Sequence, residues 1–210
     1  MYTILLSAGW PIWPLLALSI FGLAILMERS WYLRPGRITP QTDLEVAFGL
    51  AEGMASGKAA PTGLIQDLRQ SSVIGTLLAS ILSEKQSGHS ANQAIEELAV
   101  LADTSWIKLE RYLGALATIA TLAPLLGLFG TVVGMIEIFG SQGIVTGSGG
   151  NPQQLANGIS IALYNTAFGL MIAIPAYAGW RGLRAMADQR LRECEEFARQ
   201  LFKKLYPENT

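Results

Sequence analysis

Apolar and polar positions are segregated along this chain in long blocks. No charged residue occurs from Met1 to Met27, and from Tyr112 to Trp180 the only one is Glu137. The apolar blocks predict three helices, at about 10–27, 113–139 and 159–180. Even the shortest, at 1.5 Å per residue, reaches roughly 27 Å, enough for a bacterial hydrocarbon core. Trp10, Trp13, Trp31 and Tyr32 flank the first block as interfacial anchors. The 140–158 connection is uncharged and rich in Gly, Ser and Asn, which predicts a short flexible link.

Elsewhere the pattern is amphipathic. Residues 42–57, 62–86 and 90–113 carry apolar side chains near i, i+3, i+4 and i+7, as at Ala94, Ile95, Leu98 and Leu101. Gly57, Pro61, Gly63, Gly88 and Ser90 punctuate these pieces. The third piece is expected to run without a break into the second apolar block. The tail after Trp180 is expected to continue the third block as helix with mixed charges on its exposed face. The fold class is therefore all-α: a polytopic membrane protein with three transmembrane helices, two extended into a cytoplasmic helical bundle, forming one domain over 1–210.

Composition agrees: 50% of residues are hydrophobic and 15% charged, against roughly 25% charged in soluble domains. The net charge of −1 says little, but its distribution sets orientation. All 15 Lys and Arg lie in 28–112 and 181–210, and none in 140–158. By the positive-inside rule those two segments are cytoplasmic, whereas 1–9 and 140–158 are periplasmic. The chain start lacks a basic n-region, and its apolar run ends in Glu28-Arg29 rather than at small residues, so a retained helix is expected.

No nucleophile–base–acid set, metal-ligand cluster or phosphate loop is present, so no enzymatic activity, metal or cofactor is expected. Basic residues interleave with acids along helices, which argues against nucleic-acid binding. Cys194 is alone and cannot form an internal disulfide, and His89 sits in a polar Ser-Gly-His-Ser stretch as a solvated loop or helix-entry residue.

The second and third blocks hold the candidate chemistry. Small residues recur on one stripe of each: Ala120, Gly127, Gly130 and Gly134 in the second, and Ala162, Gly169, Ala173 and Ala176 in the third. Small residues let helices approach closely in lipid, so these stripes are candidate helix-packing faces, within the chain or between copies. Thr131 and Thr166 lie in them. Each hydroxyl either bonds the carbonyl one turn back or lines an ion path with uncharged oxygen. Asn165 adds to this polar zone. Glu137 is either an entry group at the outer mouth or an acid reaching interfacial water. Pro124 and Pro175 each remove a backbone hydrogen bond and are candidate kinks.

The run Ala120–Phe139, ATLAPLLGLFGTVVGMIEIF, resembles the APLLGLLGTVxGM signature of the MotA/TolQ/ExbB proton-channel family. The run Leu155–Ala176, LANGISIALYNTAFGLMIAIPA, resembles that family's third-span signature, and WPLLALSIFGLAILMERSWYL resembles its first span. Length and segment order fit ExbB and TolQ better than the four-span MotA. The resemblance implies a homo-oligomeric pentamer enclosing helices of an ExbD/TolR-like single-span dimer, whose aspartate takes up the ion. It also implies small polar residues along the path, with Thr131 and Thr166 at the matching positions. Work would pass to a periplasmic partner such as a TonB-like protein. One departure is Ile161, where ExbB and TolQ members carry glutamate. The transported ion implied is H+, with Na+ the alternative raised by Asn165-Thr166, since neutral oxygens suit a hard cation. TolQ-like and motility-energising roles stay open, as does a non-conducting oligomeric membrane scaffold.

Overall fold

The computed structural model describes residues 10–142 and 152–209. The expected outer N-terminal segment 1–9 and residues 143–151 of the 140–158 link lie outside the described residues. All regular structure among the described residues is helical. In chain order the helices are α1 (Ile12–Tyr32), α2 (Pro35–Ile38), α3 (Gln41–Ala55), α4 (Thr62–Ser71), α5 (Val73–Gln86), α6 (Ala91–Glu110), α7 (Leu113–Gln142) and α8 (Pro152–Leu205). A 3-10 turn follows at Pro207–Asn209. Three helices, α1, α7 and α8, are long and apolar enough to cross a membrane.

The chain divides into two compact units. The first comprises residues 1–28 and 112–182, the second 29–111 and 183–210.

In the first unit α1, α7 and α8 pack through small side chains. Leu15 of α1, Ala123 of α7 and Ala173 of α8 form a buried cluster, against which Leu18, Leu126 and Ile172 pack. Gly22 of α1 faces Ile119, and Gly179 of α8 lies under the side chain of Leu26. Large apolar side chains point outward instead: Phe21, Met27, Leu125, Ile136, Met171 and Ile174 are all exposed. Small residues inside and large apolar ones outside is the arrangement a bilayer selects, because lipid solvates the latter while close backbone approach supplies the packing. Pro124 and Pro175 both lie inside their helices and neither ends its helix.

In the second unit the pattern is that of a soluble bundle. Ile74, Leu77, Leu78, Ile81 and Leu82 form the buried side of α5. Leu183, Ala187, Cys194, Ala198 and Leu201 are the buried stripe of α8. Their spacings of four, seven, four and three residues keep one helix face inward. Two caps define the bundle's turns. Ser90 forms a capping box with Gln93 at the start of α6. Ser72 caps α5 by accepting a hydrogen bond from Gly75 N–H at 3.0 Å.

Two expectations about continuity are corrected. The piece 62–86, read as one helix, is two: Ser72 is extended (φ −156°, ψ 175°) between α4 and α5. Its hydroxyl donates to the Asp43 carboxylate at 2.5 Å, as does that of Ser71 at 2.6 Å. A Cβ at position 75 would run into the Leu68 carbonyl, so Gly75 permits the tight corner. The expected unbroken passage from 90–113 into the second span is likewise interrupted. α6 ends at Glu110 and Tyr112 adopts φ +66°, a left-handed conformation unusual for a bulky side chain. Its carbonyl then accepts from Leu116 N–H at 3.1 Å and starts α7. Periodicity carried through this point, but a two-residue break in the helical dihedrals leaves no trace in hydropathy.

Candidate functional site

The pairing of α7 with α8 sets the candidate site. It is antiparallel: Gly134 faces Ala162, Gly130 faces Asn165, and Gly127 faces the stretch Asn165–Gly169. The approach is at backbone level. A methyl group at Gly127 would lie 2.7 Å from the Asn165 carbonyl oxygen, and one at Gly169 only 2.5 Å from that of Ala123. Real Cβ atoms do not tolerate such distances, so glycine at these positions is what allows the helices to meet. Ala162 and Ala173 are buried along the same seam.

The polar groups sit where this contact is closest. The Thr166 hydroxyl donates to the Gly127 carbonyl of the facing helix at 3.3 Å. It therefore does not follow the common course of a membrane threonine, a bond to its own helix one turn back. Asn165 is 1% exposed, with its side chain against Gly130. Thr131 does bond its own helix, donating to the Leu128 carbonyl at 2.6 Å. It is half-buried and lines an open, otherwise apolar groove with Val132, Met135, Ile136 and Phe139. Glu137 is exposed, six residues further along α7, which at 1.5 Å per residue is about 9 Å along the axis. Ile161 is on α8, with its side chain outside the described part.

A threonine hydroxyl that donates its hydrogen keeps its oxygen lone pairs, and so can still accept from water or hydronium or coordinate a cation. The seam thus offers neutral oxygen ligands and no carboxylate. The structure brings Thr166, Asn165, Gly127 and Gly130 together; it places Thr131 on the outward side of α7 and Glu137 apart from both.

Outside the spans, several polar residues have more structure around them than the sequence pattern indicated. Arg29 is 3% exposed, donates to the Lys108 carbonyl at 3.3 Å and lies 4.8 Å from the Tyr32 ring centroid. His89 Nδ1 is 2.7 Å from Glu84 Oε2, and its carbonyl accepts from the Tyr206 hydroxyl at 3.4 Å. Burial pushes the Cys194 thiol up to about 12, with Glu193 and Glu195 adding to the effect. Cys194 is thus a packing residue, inert as a thiolate nucleophile at ordinary pH. No cluster of three or more metal-ligating side chains occurs among the described residues.

The model of the MotA/TolQ/ExbB proton channel family matches residues 69–196, which include α7 and the seam-forming part of α8. Among curated proteins the chain is similar to a putative biopolymer transport protein, ExbB-like 1, of Synechocystis sp. The two are 33% identical over 187 residues, 89% of this chain and 71% of that protein. It is similar to biopolymer transport protein exbB1 of Vibrio cholerae, 42% identical over 95 residues, and there spans 43% of this chain and 41% of the relative. It is also 37% identical over 91 residues to Tol-Pal system protein TolQ of Pseudomonas aeruginosa, spanning 43% of this chain and 38% of that one.

Proposed function

The chain belongs to the MotA/TolQ/ExbB proton channel family, and on that premise we propose that it is an inner-membrane channel and motor subunit. It would convert ion motive force into mechanical work together with a small single-span partner of the ExbD/TolR kind. Several copies of the chain, five by analogy with the family, would surround the partner's helices. Work would pass to a periplasmic or outer-membrane system, as in TonB-dependent import. The N-terminus would be periplasmic and the C-terminus cytoplasmic, because every Lys and Arg lies in the segments assigned to the cytoplasm.

The observation that carries this reading is the Thr166 hydroxyl on the Gly127 carbonyl, beside buried Asn165. A polar seam between two membrane helices lowers the barrier to a passing proton or hydrated cation, because its oxygens replace water. With Ile161 in place of an acid, the carboxylate that takes up the ion would come from the partner.

The test is ion flux in cells co-expressing this chain and its partner, comparing wild type with Thr166→Val. Valine keeps the shape and removes the oxygen. A cytoplasmic pH drop lost by at least about tenfold in the variant supports a proton path along this seam. Sodium uptake lost instead assigns the path to sodium. Equal flux in both would remove Thr166 from the path, and if neither ion moves, the conducting reading fails and an oligomeric scaffold replaces it.

A further inference from the structure

A cavity of about 640 Å³ in the second unit lies between the end of α1, the α2 turn, the α4–α5 corner and α6. Its charge is one-sided. Arg37, Arg69 and Lys108 line it, and no carboxylate does. All three cations are exposed, and none is in an ion pair among the described residues. In a chain of net charge −1, this is a local excess that its own acids leave uncompensated. Unpaired like charges held around one cavity repel one another, and an anion relieves that repulsion.

Two further features face the same space. The first turn of α5 borders the cavity at Ser72 and Val73, so a helix of fourteen residues directs its positive end there. The carboxylate nearest this terminus is Asp43. It is buried, takes up the Ser71 and Ser72 hydroxyl hydrogens and does not line the cavity. Gln70 and Thr76 add neutral hydrogen-bonding groups to the lining. A planar guanidinium at Arg69, a second at Arg37 and an ammonium at Lys108, arranged around a helix N-terminus, match the several oxygens of a phosphate better than a single carboxylate.

We propose that this cavity binds a phosphate group, of which an anionic phospholipid headgroup is the favoured bearer. Tyr32, on its rim, closes the helix whose apolar run ends only five residues earlier, at Met27. Trp31 beside it is an exposed indole flanked by Arg34 and Arg37, whose guanidinium carbons lie 5.0 and 5.9 Å from its ring centroid. Aromatic and basic side chains adjoining the end of an apolar helix are what an interfacial headgroup meets. The site uses no residue of the α7–α8 seam and is independent of which ion the chain conducts.

The experiment is native mass spectrometry of the purified full-length chain released from detergent, titrated with phosphatidylglycerol or phosphatidylcholine of equal chain length. Saturable phosphatidylglycerol binding is expected, weakened at least about tenfold in Arg69→Gln/Lys108→Gln. It should be unchanged in Lys58→Gln/Arg199→Gln, which removes the same charge elsewhere. Arg69→Lys, which keeps the charge but loses the planar fork, should bind more weakly than wild type and more tightly than the double variant. Millimolar inorganic phosphate that competes with the lipid assigns the site to a soluble phosphate compound, and failure to compete assigns it to the headgroup. Equal binding of the two lipids, or equal binding by wild type and the Arg69/Lys108 variant, overturns the proposal. Thr166→Val should bind lipid normally, so loss of flux and loss of lipid binding are separable.

Discussion

Replacing Gly169 with alanine tests the closeness of the α7–α8 seam directly. The new methyl would lie 2.5 Å from the Ala123 carbonyl oxygen and 3.1 Å from the Gly127 Cα. Both are backbone atoms, so no side chain can rotate away. Restoring ordinary contact at about 3.4 Å requires the helices to part by roughly 0.9 Å. Overpacking of this kind costs about 1–3 kcal/mol. The same displacement would stretch the Thr166–Gly127 hydrogen bond, already 3.3 Å, beyond useful length. That adds roughly 0.6 kcal/mol, the average for side-chain hydrogen bonds between membrane helices. The expected loss is therefore about 1.5–3.5 kcal/mol, measured by unfolding in mixed micelles of rising denaturing-detergent fraction. Gly49→Ala is the control: nothing lies within 4 Å of its Cβ position, and it is an exposed residue inside α3. There alanine should stabilise by roughly 0.5–1 kcal/mol, the helix-propensity gain. If Gly169→Ala matched wild type within about 0.5 kcal/mol, the backbone-level approach would be wrong, and with it the geometry that puts Thr166 on Gly127.

Two further outcomes follow from the second unit. Ser72→Ala removes the α5 cap and one of the two hydroxyls on Asp43, and should cost about 1–2 kcal/mol in thermal or denaturant unfolding; Ser72→Thr should recover most of it. Cys194, buried and with its thiol pushed up to about 12, should resist alkylation at pH 8 until the chain unfolds. Since its folded value is raised above the ordinary 9.0, the preference for the neutral thiol stabilises the fold at neutral pH and is lost as pH climbs from about 9 towards 12. Labelling that is as fast in the native protein as in denaturant would refute this placement.

Most of the helical layout is legible in the chain because the bilayer imposes a strong constraint: one charge between Tyr112 and Trp180 permits few other folds. The small-residue stripes also carry their geometry on the surface, since only Gly and Ala fit a seam as close as that between Gly127 and Gly169. Details set by single side chains are harder to read. Ser72 splits a periodic stretch because its hydroxyl finds Asp43, 29 residues away in sequence. Tyr112 takes a left-handed conformation although its type argues against it. Arg29 is buried on the Lys108 carbonyl, 79 residues distant. For Ser72 and Arg29 the deciding partner is remote in sequence, and hydropathy registers only neighbours.

The hydroxyl of Thr166 shows why similar residues in one stripe need not act alike. Thr131 and Thr166 both occupy small-residue stripes, and both carry an oxygen into an apolar span. Thr131 returns its hydrogen to Leu128 on its own helix, a bond that would survive separation of α7 from α8. Thr166 gives its hydrogen to the other helix, so its oxygen is positioned only while the seam is closed. A conducting role that depended on Thr166 would therefore be sensitive to the spacing of the pair, whereas one that depended on Thr131 would not. Gly169→Ala and Thr166→Val should then impair flux together while Thr131 stays competent. An equal loss in Thr131→Val would place the path on the outward face of α7 instead, along the open groove beside Met135 and Phe139.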